Sequence, residues 1–239
     1  SREAIRIASS KRATACRLAA SGIATTPALS PVEPAGAPEA SRRSECEAGP
    51  WVVKPDDGAG ALDTFIFDSF PAACAEYDSR AAVGRNPVLQ AWVDGEPLSL
   101  SLICGEEGAE LLSINRQDIV ATLRHAPGAP ARIVEFRGVR ADQLDLGSAR
   151  GRTLASLARR IADAMPGLRG FVGVDVVWHP VRGPVVIEVN PRLTTAYAEL
   201  AATRGRGLTQ ALLAAHGVRL GRPASKAVVG ALAECGVRP

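Results

Sequence analysis

The chain has 239 residues, 46% of them apolar and 22% charged, with a formal net charge of +3. That length and apolar content suffice for a substantial core, as one large domain or two lobes, and no run approaches the ~18 apolar residues of a membrane span. Aromatic residues make up 4%, and the arginines are scattered, which argues against a nucleic-acid surface of basic residues interleaved with stacking rings. The five cysteines (Cys16, Cys46, Cys74, Cys104, Cys235) are odd in number and widely spaced, with no CxxC pair. This argues against a disulfide framework or structural zinc site and fits a reducing compartment. The N-terminal SREAIRIASSKR lacks the apolar stretch of a signal peptide, so a soluble cytoplasmic protein is expected.

The first predicted element is a helix over residues 9–20, with serines at its start, Gly22 after it and Pro27 beyond. Residues 31–49, rich in Pro, Ala, Glu and Ser, read as a linker or loop. WVVKP (51–55) is a short strand ending in a lysine, DDGAGALD (56–63) a glycine-bearing loop, 64–67 a returning strand and 71–77 a short helix. Residues 88–93, 98–104 and 109–115 read as successive strands separated by glycine turns. A later helix spans 149–164, with Leu154, Leu157, Ile161 and Met165 at helical spacing and Pro166–Gly167 as its stop. A helix near 208–215 and an apolar segment at 227–232 close the chain. Strands joined by tight turns, without regular βαβ alternation, predict an α+β fold with mainly antiparallel sheets.

The stretch GVDVVWHPVRGPVVIEVNPRLTT (173–195) carries the most chemistry. Folded as a symmetrical hairpin closing through 179–184, it sets Trp178 opposite Val185, Asp175 opposite Glu188 and Gly173 opposite Asn190. The two-residue period then puts Asp175, Glu188 and Asn190 on one face and Val174, Val176, Ile187 and Val189 on the other. Two facing carboxylates repel unless a hard cation lies between them. Mg²⁺ suits such a site, since it takes oxygen ligands and keeps positions for water and phosphates. The alternative is a solvated hairpin face.

Only three lysines occur (Lys11, Lys54, Lys226), and none is preceded by the glycine of a Walker A loop. GxGxxG, HExxH and GxSxG are absent as well. Lys54 and the 56–60 loop can surround phosphate oxygens with an ammonium and backbone N–H groups, or form an ordinary turn with a snorkelling lysine. QAWVDGE (90–96) can offer backbone groups to adenine and Glu96 to ribose hydroxyls, or be a plain hairpin. The three histidines (His125, His179, His216) lie apart from other ligand-type residues and read as structural or exposed.

In this order, SKRATACRLAASGIATTP, WVVKP, DDGAG, QAWVDGEPLS and the Gly173-to-Arg192 run resemble the motifs of the ATP-grasp superfamily of carboxylate–amine ligases. The resemblance implies an ATP-grasp fold of two α+β lobes clamping ATP. It divides the chain into a lead-in helix (1–30), a small nucleotide-covering lobe (31–94) and a larger metal- and substrate-binding lobe (95–239). The superfamily's preceding α/β domain is then missing or truncated. By resemblance, Lys11, Lys54, Gly58, Gly60, Gln90, Trp92, Val93 and Glu96 bind the nucleotide, while Asp175, Glu188 and Asn190 hold one or two Mg²⁺ ions, with Mn²⁺ as a substitute. Arg192 and Arg116 steady the transferred phosphate or acyl phosphate.

LLSINRQDI (111–119) and EVNPRLTTAY (188–197) are similar to the branch containing tyramine–glutamate ligase of methanofuran biosynthesis and related pyrrolysine-pathway ligases. This implies Asn115, Arg116 and Thr194–Thr195 as an amino-acid pocket, with glutamate as the activated acid and tyramine, tyrosine or a similar amine as acceptor. The expected partners are an amino acid and an amine, with neither nucleic acid nor membrane, and a homodimer fits the resemblance. Gln90 stands where many relatives have an acidic residue, and Gly173 where some peptide-forming relatives have an arginine. The rival readings are a different ATP-grasp amino-acid or peptide ligase, and a catalytically silent nucleotide-binding subunit.

Overall fold

The computed structural model describes residues 1–29, 49–106, 108–125 and 130–218. The expected linker over 31–49, apart from Gly49, and the apolar segment at 227–232 lie outside the described residues. Helices α1 (Arg2–Ala8) and α2 (Lys11–Ala20) lead into β1 (Trp51–Pro55), β2 (Phe65–Phe67), α3 (Phe70–Ala82) and β3 (Pro87–Ala91). Then follow β4 (Glu96–Gly105), β5 (Gly108–His125), β6 (Pro130–Arg140) and α4 (Ala149–Ala164). The last described elements are β7 (Gly170–His179), β8 (Gly183–Asn190), α5 (Thr195–Arg204) and α6 (Arg206–Ala215).

The strands form one sheet of eight in the order β3-β1-β2-β6-β5-β4-β7-β8. Every pairing between these strands is antiparallel. The junction between β2 and β6 is short, with Phe65 opposite Ile133 and Ile66 opposite Arg132. The sheet is strongly curled. After α2, Thr25 bridges to Val186 on the β8 edge, and Leu29 bridges to Leu89 on the β3 edge. Four residues of extended chain span at most ~14 Å, so the two edges come within that distance of each other.

Alternation along β4 and β7 sends Leu98, Leu100, Leu102, Val174 and Val176 to one face, where they pack on Leu154, Leu157 and Ile161 of α4. Toward the end of the opposite face Ile103, Leu112 and Phe171 are covered by Leu200 of α5 and Leu208 of α6. Trp51, Val53, Phe67 and Leu89 form a separate cluster with α3. The concave face between these covers carries both polar and apolar residues of the strands and lines a cavity.

α4 has the bounds that the leucine spacing predicts, with Ser148 as N-cap accepting from Gly151 N. The first predicted helix, 9–20, is α2, and α1 is a separate helix ahead of it. Ser9 caps the C-terminus of α1, and Ser10 caps α2 through Ala13 N, so Lys11 becomes the first residue of α2. α1, β6 and α5 lie outside the expected elements. α1 has only seven residues, too few to hold a helix without tertiary packing. In β6 a bulge against β5 breaks the two-residue period that would reveal a strand.

Candidate active site

The β7–β8 hairpin has Asp175 opposite Glu188, Val174 opposite Val189 and Gly173 opposite Asn190, the register that the sequence predicts at this end. Toward the turn the register differs by one residue, with Val177 facing Val185 and Trp178 facing Pro184. A bulge at Ile187 absorbs the difference. This corrects one inward assignment: Ile187 joins Asp175 and Glu188 on the lining of a cavity of about 310 Å³, and Val186 enters the core in its place.

The curl brings distant residues to this cavity. Lys11, Lys54, Gly58, Gly60, Gln90, Trp92 and Val93 line it together with Asp175, Glu188, Asn190 and Arg192. Lys11 is buried, and its ammonium lies 3.1 Å from Glu188 Oε2 while donating to Gly58 O at 2.6 Å. Asp56, which sequence reasoning passed over as loop, fixes that lysine. Its carbonyl accepts from Lys11 N, and its carboxylate Oδ1 accepts from Arg12 N at 2.8 Å, capping α2 from outside. The signal was available: an acidic residue just after a strand-ending Lys-Pro, beside a helix start that needs N–H partners.

Asp175 is held from both sides. Gln117 Nε2 donates to Oδ1 at 2.9 Å and Asn190 Nδ2 to Oδ2 at 3.2 Å, while Arg192 Nη2 donates to Asn190 Oδ1 at 3.2 Å. Burial, then the facing Glu188 charge, pushes Asp175 up to about 7, against the hydrogen bonds from Gln117 and Asn190. Burial, reinforced by Lys11, brings the Lys54 ammonium down to about 8 despite the attraction of Glu188 and Asp175. A crowded carboxylate pair and a desolvated ammonium fit a site awaiting further charge.

Two carboxylates and one amide oxygen make a hard-oxygen donor set. Among the described residues no three His, Cys, Asp or Glu side chains group together, so a closed protein cage is not formed. The set fits an ion of the Mg²⁺ type, which takes one or two carboxylates and leaves positions to phosphate and water.

At the other end of the cavity Gln90 is 1% exposed and donates through Nε2 to Thr26 O at 2.5 Å. A carbonyl can only accept, which fixes the amide and leaves Gln90 Oε1 as an acceptor. That oxygen and Thr26 Oγ1 are buried without a hydrogen-bond partner, and both residues line the cavity.

The family described as an ATP-grasp domain matches residues 8–196. The chain belongs to the ATP-grasp family. Tyramine–L-glutamate ligase of Methanocaldococcus jannaschii is 32% identical over 111 residues, covering 46% of this chain and 30% of that protein. The enzyme of the same name from Methanocaldococcus fervens is 32% identical over 146 residues, covering 61% and 38%. The aligned stretch thus spans about a third of these relatives' length. D-alanine–D-alanine ligase from Bacillus anthracis shares the fold, with a TM-score of 0.62 at 16% identity over 89% of this chain and 68% of that one.

Three residues that the ATP-grasp resemblance assigned to the site stand away from the cavity lining. Glu96 and Arg116 fall on the α4 face of the sheet, because alternation gives the cavity face to Pro97 and Gln117. There Glu96 pairs with Arg116 Nε at 2.8 Å and Arg150 Nη2 at 2.6 Å, and Arg150 stacks on Trp178. Asn115 is fully buried, bonded to Ser101, Ser113 and the Asp142 N–H. Thr194 and Thr195, by contrast, line the cavity. A Cβ on Gly173 would lie 2.4 Å from Thr194 Cγ2, so the glycine lets the start of α5 close on β7. Thr194 Oγ1 makes no cap bond and is buried without a partner.

Proposed function

We propose that this chain binds ATP and Mg²⁺ and acts in an ATP-dependent ligase that activates a carboxylate as an acyl phosphate and joins it to an amine. The observation that carries this reading is the convergence of Lys11, Lys54 and Arg192 with the facing Asp175–Glu188 pair on one cavity. Bound Mg²⁺ would be held by Asp175, Glu188 and Asn190 and would offset phosphate charge. Lys54, the Lys11 helix and the glycine loop hold the phosphate chain, and Arg192 faces the transferred group. Gln90 Oε1 accepts from the 6-amino group of adenine, a position where guanine has a carbonyl that an acceptor would repel. The buried Thr194 hydroxyl and the N-terminal N–H groups of α5 orient the carboxylate. No nucleophilic side chain is needed, since positioning and charge carry the chemistry.

The names of the curated relatives support glutamate as the acid and tyramine, or tyrosine, as the acceptor. The test is ADP release by the purified protein with Mg²⁺, ATP and glutamate across a panel of amines. Aromatic amines are expected to drive release. Release with unrelated amines only would overturn the substrate pair, and nucleotide binding without turnover under any acid and amine would overturn the ligase reading.

A further inference from the structure

Beside the charged end of the cavity lies a wall that the phosphate and metal chemistry leaves unused. It comes from β5 and β6, where Gln117 faces Val139 and Ile119 faces Phe136. Phe136 and Val139 are three residues apart and would ordinarily point to opposite faces of a strand. The bulge between Asp118 and Ile119 resets the alternation, so that Ile119, Phe136 and Val139 line the cavity together with Gln117. All four side chains are half-buried, open to the cavity.

One polar group borders this apolar patch. The Gln117 amide is oriented by Asp175, because a carboxylate oxygen accepts and Nε2 must be the atom that donates to it. Gln117 Oε1 is therefore left as an acceptor, on a residue that lines the cavity beside Asp175. An acceptor set against three apolar side chains matches a ligand with an N–H donor on an apolar body. It does not match an anion, which the oxygen would repel, nor a phosphate chain, which the apolar wall would leave unsolvated.

We propose that the bulged β5–β6 patch is the acceptor subsite, taking a primary amine carried on an apolar, preferably aromatic, body. Phe136 and Ile119 hold the body, and Gln117 Oε1 receives the amine N–H beside the reaction centre. Gln117 thus touches both the Asp175 carboxylate and the incoming nucleophile. This inference rests on the ligase reading. The amine, as free base, attacks the acyl carbonyl carbon, the C–N bond forms, phosphate leaves with the C–O bonding pair, and the nitrogen sheds one proton to solvent.

The experiment compares phenethylamine with hydroxylamine as nucleophiles toward the same activated acid, in the protein and its Phe136→Ala and Phe136→Leu variants. Hydroxylamine has no apolar body, so the ratio of kcat/KM for the two nucleophiles reads the patch. The ratio is expected to fall roughly 10- to 100-fold in Phe136→Ala and less in Phe136→Leu. Phenethylamine affinity, measured by calorimetry without nucleotide, is expected to weaken in parallel. An unchanged ratio with unchanged phenethylamine affinity would overturn the subsite while the ligase reading stands. A shift in ADP affinity with no change in the ratio would assign the wall to the nucleotide and equally overturn it. Absence of both hydroxamate and ADP from the unaltered protein would defeat the ligase reading itself, and the proposal with it.

Discussion

The two ends of the cavity are built on opposite plans. At the hairpin end the two carboxylates and the groups beside them are tied to one another: Lys11 to Glu188, Gln117 and Asn190 to Asp175, Arg192 to Asn190. At the other end Gln90 Oε1 and Thr26 Oγ1 are buried with no partner at all. The contrast teaches how each end prepares for a ligand. Charges cannot be left alone in a low-dielectric cleft, so the metal end carries internal stand-ins that a ligand must rearrange. Neutral polar atoms are tolerable alone at a smaller penalty, so the base end waits with its acceptor already aimed.

Asp175→Asn breaks the contrast most strongly. It removes a carboxylate from the metal set, and ADP release is expected to fall ~10³-fold, measured at saturating Mg²⁺. The same change should stabilise the metal-free protein at neutral pH. Asp175 stands near 7 in the folded chain against an ordinary 3.8. Between those values the unfolded chain has lost the proton that the folded chain keeps, so stability falls as pH rises from about 4 to about 7. In the variant that slope should flatten, with a gain on the order of 1 kcal/mol at pH 7, because cavity water screens the half-buried carboxylate. Denaturant melts at pH 4, 5.5 and 7 read this directly, and a slope identical in both proteins would refute the account.

Gln117→Leu sharpens the comparison at one hydrogen bond. It keeps the bulk of the side chain but takes away the donor that orients Asp175, and Mn²⁺ affinity by calorimetry should weaken ~10- to 100-fold. Unaltered affinity would mean that Asn190 alone suffices to orient the carboxylate. Thr26→Val tests the other end with the smallest effect. Replacing an unpartnered buried hydroxyl by a methyl should raise metal-free stability by about 1 kcal/mol while ADP binding weakens several-fold. A lower melting temperature would show that the hydroxyl already has a partner.

Much of the hairpin end was legible because a strand has only two faces. Once Asp175 and Glu188 were set opposite one another, the period of two carried Asn190 to their side and Val174 and Val189 to the core. The same rule failed beyond the bulge, where one extra residue exchanged Val186 and Ile187 between core and cavity. Glu96 and Arg116 were assigned from family motif order, which says nothing of the face a residue takes, and alternation itself turns both away from the cavity. Gln117 and Asp56 were missed for a different reason. Each acts through a partner 58 or 44 residues away, and no local pattern encodes such a distance.

By itself the sequence determined the local chemistry: which strand ends in a lysine, which loop is glycine-bearing and which hairpin carries opposed carboxylates. These follow from short-range periodicity and residue type, which act within a few residues. Only the tertiary structure decided that Lys11 meets Glu188 and Lys54 lines the same cavity, that Arg116 does not line it, and that a bulge turns Phe136 and Val139 inward. Those outcomes depend on the curl that brings β3 within a few residues' reach of β8, a property of eight paired strands rather than of any one segment.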